Sequence, residues 1–108
     1  MQDFSFDTHI FKEGKTYVAY VPALDISSCG DTDEEVRGNI RDAVRGFLAA
    51  SADLGTLGEI LEEAGYRREG DDWRAPEFVS LDRLTMSIGY LRHVNERLSR
   101  RRSPVAPG

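Results

Sequence analysis

Four carboxylates, Asp31, Asp33, Glu34 and Glu35, crowd together just after Cys29, the chain's lone cysteine, and a fifth, Asp25, lies upstream. Such a group can hold a metal, tune a thiol, border a phosphate site or start a helix. A calcium loop needs a D-x-[DN]-x-[DN]-G frame closed by a glutamate, and "DTDEEVRGNI" lacks it. A phosphate cradle needs free amides without competing negative charge. A catalytic thiol wants a basic neighbour, whereas Cys29 has acidic ones, so a small, half-buried structural residue is expected there. A helix N-terminus, by contrast, carries about half a positive charge, and acids there stabilise by roughly 0.3–1 kcal/mol each. Thr32 stands three residues before Glu35, the capping-box pattern. The crowding is therefore read as a helix start, with no metal and no cofactor.

Basic residues form two further groups. Arg37, Arg41 and Arg45 recur every fourth residue, a stripe on the polar face of the expected helix. It is either a solvated face or a contact for an acidic partner or RNA. Arg97, Arg100, Arg101 and Arg102 lie near the C-terminus and are candidates for nucleic-acid contact. A metal-dependent nuclease of the RNase H kind needs several carboxylates converging on two ions about 4 Å apart. Only Asp7 offers a carboxylate within the first two expected strands. No enzyme is expected.

The elements that position these residues follow from periodicity. Residues 4–11 alternate, with Phe4, Phe6 and Ile10 on one side, as in a half-buried strand. Glu13-Gly14 reads as a tight hairpin turn. "TYVAYV", 16–21, is apolar on both faces and should be central in a sheet, and Pro22 should end it. "LDISSC" reads as a third strand. Val36, Ile40, Ala43, Val44 and Phe47 give the first helix its apolar stripe. Gly38 and Gly46 each cost it about 1 kcal/mol relative to Ala and are expected to allow close approach to the sheet. Thr56 and Glu59 repeat the capping-box pattern, Leu57, Ile60, Leu61 and Ala64 form a second stripe, and Gly65 supplies a left-handed stop with Tyr66 in apolar contact. Trp73 falls in a turn-rich stretch and can close either a small hairpin or a lid over the core. Leu84, Met86, Ile88 and Tyr90 alternate as a last strand. The order β-β-β-α-α-β predicts an α+β fold, a small, mostly antiparallel sheet with helices on one face. The unpaired face and edges predict a homodimer or larger oligomer.

Charge divides the 108 residues in two. Residues 1–90 hold nine Lys and Arg against eighteen Asp and Glu, a net −9, whereas residues 91–108 hold five Arg against one Glu, a net +4. The expected organisation is one domain over 1–90 and a basic tail over 91–108, partly helical through Leu91, Val94 and Leu98 or disordered. An acidic body suits a basic partner. With 40% apolar residues the chain can form a core without staples. A single cysteine excludes an internal disulfide and suits the cytoplasm. Neither a signal peptide nor a membrane span is apparent.

With the motifs placed on strand, turn and helix, the stretch from Tyr17 to Leu48 resembles the HicB antitoxin family. Members commonly read an aromatic residue, V-A-x-V-P, a short variable stretch, then G-D-T-x-x-E-A. Here the pattern falls on Tyr17, Val18, Ala19, Val21, Pro22, Gly30, Asp31, Thr32 and Glu35, with Val36 where alanine is usual. The resemblance covers about the first fifty residues and continues loosely through "LGEILEEAGY". It implies a partial RNase H-like fold without nuclease activity, and a partner toxin of HicA type, a small basic RNA-cleaving protein that the antitoxin binds and masks. Asp25, Asp31, Asp33, Glu34 and Glu35 are the expected toxin-facing residues. Many relatives add a DNA-binding domain of helix-turn-helix or ribbon-helix-helix type; the eighteen residues after Tyr90 are too few for either, which puts operator binding by this chain in doubt. The alternatives are a nucleic-acid-binding regulator acting through the arginine tail, or a stand-alone HicB-like protein without a toxin.

Overall fold

The computed structural model describes residues 2–89. Three strands, β1 (His9–Glu13), β2 (Thr16–Val21) and β3 (Ile26–Gly30), form an antiparallel sheet in that order. Two helices follow, α1 (Asp33–Leu54) and α2 (Leu57–Glu63), and then a hairpin of β4 (Arg67–Glu69) and β5 (Asp72–Arg74). The fold is α+β, as the sequence predicts, with "TYVAYV" central. The chain divides into two units, the break falling between Phe78 and Val79.

Register explains the layering. Ile10 pairs with Ala19 and Val21 with Ile26, so these side chains share one face with Tyr17. Ala19, Val21, Val36 and Ile40 are the buried centre, flanked by Phe6, Ile10, Tyr17, Leu24, Ile26 and Val44. Thus the four-residue spacing of Val36, Ile40 and Val44 meets the two-residue spacing of the strands. α1 packs on β2 and β3, and α2 packs against α1 and β4.

Several expectations need correction. The first hairpin pairs Glu13 with Thr16, so its two-residue turn is Gly14-Lys15 rather than Glu13-Gly14. Gly14 takes φ +62°, the left-handed conformation that such turns require. The strand expected from residue 4 begins only at His9. Phe4 and Phe6 serve instead as an aromatic cluster around Tyr66, with ring centroids 5.1 and 5.9 Å from it. Tyr66 is buried, and its hydroxyl accepts from the Ser5 N–H at 2.7 Å and donates to the Ser5 carbonyl at 2.9 Å. The Gln2 side chain bonds both backbone groups of Trp73. Such ties, to residues more than sixty positions away, hold the N-terminal segment where a ladder was expected.

Gly38 and Gly46 have nothing within 4 Å of a notional Cβ, so neither permits a close approach. Leu84, Met86 and Ile88 lie in chain without strand pairing, and Tyr90 lies outside the described residues. The strand that follows the helices belongs to the hairpin, where Arg68 pairs with Trp73 and stacks on its ring at 5.6 Å. Both helices end as the glycines dictate. Gly55 and Gly65 have φ +78° and +98°, and the next residues, Thr56 and Tyr66, donate back to Ser51 and Leu61 at 2.9 Å. These are Schellman closures. No helix among the described residues is long and apolar enough to cross a membrane.

Candidate functional site

The acidic residues gather at the junction of β3 and α1. Thr32 is extended (φ −135°, ψ 162°), so its hydroxyl reaches the Glu35 N–H at 3.0 Å. The Glu35 carboxylate folds back and accepts from the Asp31 N–H at 3.1 Å, one residue earlier than the capping box predicts. Gly30 makes this possible. A Cβ there would stand 2.9 Å from the Val36 nitrogen and 3.2 Å from the Glu35 side chain. A non-glycine residue would drive the helix off the strand end.

Asp33 pairs with Arg37 at 2.9 Å, and Asp42 with Arg45 at 3.1 Å, both well exposed. Two of the three stripe arginines are therefore held by acids on their own helix. Such pairs contribute little to stability, but they set what the surface presents. Asp31, Glu34 and their neighbours form an exposed negative edge at the helix start. The Asn39 amide donates to the Cys29 carbonyl at 2.9 Å, tying α1 to the end of β3. Cys29 itself is exposed, not half-buried as expected. It pairs with Val18 and Val18 with Phe11, on the face opposite the helix.

Asp25 sits at the other end of β3. The turn after Val21 closes through Leu24 N–H to Val21 and Asp25 N–H to Pro22. Pro22 ends β2, as expected. Asp25 takes φ +54°, a conformation that Asp tolerates better than most residues. The Tyr20 hydroxyl donates to its carboxylate at 2.9 Å. That hydrogen bond raises the Tyr20 pKa above the ordinary phenol value, with smaller contributions from desolvation and from the Asp25 charge. From Asp25 to Asp31 is roughly 20 Å along the strand. The structure therefore gathers Asp31, Asp33, Glu34 and Glu35, and sets Asp25 apart.

The remaining motif residues are scaffold. Ala19 is fully buried, in the core cluster with Val36 and Ile40 of α1. Tyr17 lies in the same row, with the Lys12 ammonium 5.2 Å from its ring centroid. Arg97, Arg100, Arg101 and Arg102, and the expected helix through Leu91, Val94 and Leu98, lie outside the described residues.

Sequence reasoning missed a cleft. The α1 backbone lies close over β2 and β3 but not over β1. The gap, about 420 Å³, has Ile10, Val21, Ile40 and Val44 as apolar walls and Arg37 and Arg41 among its polar ones. The signal lay in the stripe itself, because Arg37 and Arg41 each lie within one helical turn of Ile40. Among the described residues, no three His, Cys, Asp or Glu side chains gather where a metal ion could sit. No family model, curated protein or solved structure matches the chain.

Proposed function

We propose that this chain is a HicB-like antitoxin, a non-catalytic protein of the cytoplasm that binds a small, basic, RNA-cleaving toxin of HicA type and masks its active site. The supporting observation is the exposed acidic edge at the start of α1, Asp31 and Asp33 to Glu35, carried by a body of net −9 over residues 1–90. A surface that holds RNA phosphates is positive. A competitor for it presents fixed negative charge, and opposite fields speed encounter.

The strand, turn and helix that carry the HicB-like motif give that edge its rigidity. Gly30 lets the helix start directly against β3, while Thr32 and Glu35 fix the first turn. Asp25 stands roughly 20 Å away. A standard interface of roughly 800 Å² per partner is nearly 30 Å across, so it can include both ends of β3. In this reading the layout is a partial RNase H-like fold used for binding, and the protein acts as a dimer or larger assembly.

The test is the double substitution Asp31→Lys with Glu34→Lys, titrated against a HicA-type toxin at several salt concentrations. Neither side chain is part of the cap, so folding should persist. Affinity should fall at least about tenfold, a loss of roughly 1.4 kcal/mol, and its salt dependence should flatten. Unchanged affinity and an unchanged salt slope would reject the reading.

A further inference from the structure

The sheet has two outer edges, β1 and β3, and they differ. Glu13 and Thr16 flank the two-residue turn of the first hairpin, so their N–H and C=O groups point at each other. Alternation turns the groups of His9 and Phe11 toward β2 as well, and those of Ile10 and Lys12 outward. On β2 the same alternation sends Tyr17, Ala19 and Val21 toward β3, where they meet Gly30, Ser28 and Ile26. Ser27 and Cys29 are then the outward residues of β3. The Cys29 carbonyl is already taken by the Asn39 amide of α1 at 2.9 Å. β3 is thus a blunted edge, whereas among the described residues nothing pairs with the outer side of β1. An open edge is a template for another strand.

The five residues of β1, "HIFKE", are complementary to themselves when reversed. Centred on Phe11, an antiparallel pair of β1 strands sets Phe11 opposite Phe11, His9 opposite Glu13, and Ile10 opposite Lys12. Ile10 and Lys12, the outward residues, then exchange N–H···O=C bonds on both sides of the centre, while Phe11 forms the closer, non-hydrogen-bonded pair. His9 meets a carboxylate, and no like charges stand opposite each other. Other centres do worse. One at Lys12 opposes two ammonium groups, and one at Ile10 overlaps only residues 9–11 of the strand. Lys12 itself leans back over its own Tyr17 ring, at 5.2 Å, and leaves the edge clear. Phe11 is 47% exposed and shares a row with Val18 and Cys29 on the face opposite α1.

We infer that two copies of this chain pair through β1, antiparallel about a two-fold axis at Phe11, so that their three-stranded sheets form one sheet of six strands. A second copy is the occupant because the same five residues supply both the hydrogen-bonding phase and the opposite charge. The two Phe11 rings join the apolar rows of both copies across the axis. The blunted β3 edges end the sheet, so assembly stops at two. One strand pair is an interface at the small end of the range, below about 1,200 Å² in total, so association is concentration-dependent. The inference rests on the self-association part of the proposed function and gives it a surface. The acidic start of α1 follows β3, at the other edge of the sheet, and stays free for a toxin.

The experiment uses the full chain. Light scattering over a dilution series should show a dimer that dissociates as concentration falls. With Cys29→Ser as background, Phe11→Cys should cross-link two copies under mild oxidation. Residues opposed in a non-hydrogen-bonded pair lie about 4.5 Å apart at Cα, within the roughly 4.4–6.8 Å that a disulfide spans. His9→Cys in the same background should not cross-link, because His9 is opposed by Glu13. His9→Glu should weaken the dimer several-fold, and Glu13→Lys added to it should restore most of the loss. Within one copy these two residues face only Tyr20 and Thr16, so the folded monomer should be indifferent to both changes. Phe11→Lys should give a monomer with an unchanged circular dichroism spectrum, and its titration against a HicA-type toxin reports on masking separately. A wild type monomeric at every concentration, cross-linking through position 9 as readily as through 11, or a dimer indifferent to Phe11→Lys would each overturn the inference.

Discussion

The starts of α1 and α2 carry the same signature and behave differently. "TDEE" at 32–35 and "TLGE" at 56–59 both place threonine three residues before glutamate. At Thr32 the backbone is extended, and the hydroxyl caps the Glu35 N–H. At Thr56 the backbone sits at φ −104°, ψ 0°, and no side-chain cap forms. The difference lies in what precedes each threonine. Thr32 follows a strand that arrives extended. Thr56 follows Gly55, and its own N–H closes the end of α1 by donating to Ser51 at 2.9 Å. Its hydroxyl turns the same way, toward the Ser51 carbonyl at 3.4 Å. One residue cannot both terminate a helix in this manner and hold the extended geometry of a cap.

The comparison can be broken most strongly at Gly30. The added methyl of Gly30→Ala would press on the backbone of Val36, 2.9 Å away, which has no flexible end to yield. Overpacking of this kind costs about 1–3 kcal/mol, and the reduced freedom of the unfolded chain returns up to about 1 kcal/mol. A net loss of about 2 kcal/mol is expected in urea unfolding. No loss would mean that α1 can start elsewhere. Thr32→Ala comes next. Removing an N-cap that is in use costs about 1 kcal/mol, visible as a lower urea midpoint at unchanged slope.

The interior of α1 sharpens the same contrast with the opposite sign. Gly46 is exposed and has open space around it. Gly46→Ala should therefore stabilise by slightly less than 1 kcal/mol, raising the midpoint of thermal unfolding by about 4–8 °C for a domain of this size. Destabilisation would show that something covers the position.

These residues also show what was legible in the sequence. β2 was legible because six apolar-rich residues end at a proline, and α1 because Val36, Ile40 and Val44 repeat on one face. The motif from Gly30 to Glu35 was legible because capping is local chemistry. Gly38 and Gly46 were misjudged because composition cannot show which side of a helix meets the sheet. Phe4 and Phe6 alternate as a strand would, but Tyr66, some sixty residues away, decides where they go. The alternation of Leu84, Met86 and Ile88 likewise specifies side-chain direction without specifying a partner. Asp25 was separated from its acidic neighbours by β3 itself, because an extended strand puts the greatest distance between residues close in sequence.

The smallest expected effect is the most diagnostic. Thr56→Ala removes the second copy of the signature and, if signatures alone decided capping, would cost about as much as Thr32→Ala. The structure says otherwise. The Thr56 side chain caps nothing in α2, and its one hydrogen bond, at 3.4 Å, is near the limit of such contacts. The backbone N–H that closes α1 is kept by alanine. The change should therefore stay within about 0.5 kcal/mol, the usual range for a substitution away from special features. Measured beside Thr32→Ala in the same urea series, the two values should differ by at least a factor of two. Equal losses would mean that α2 also depends on a threonine cap, and that the arriving backbone does not choose between the two starts.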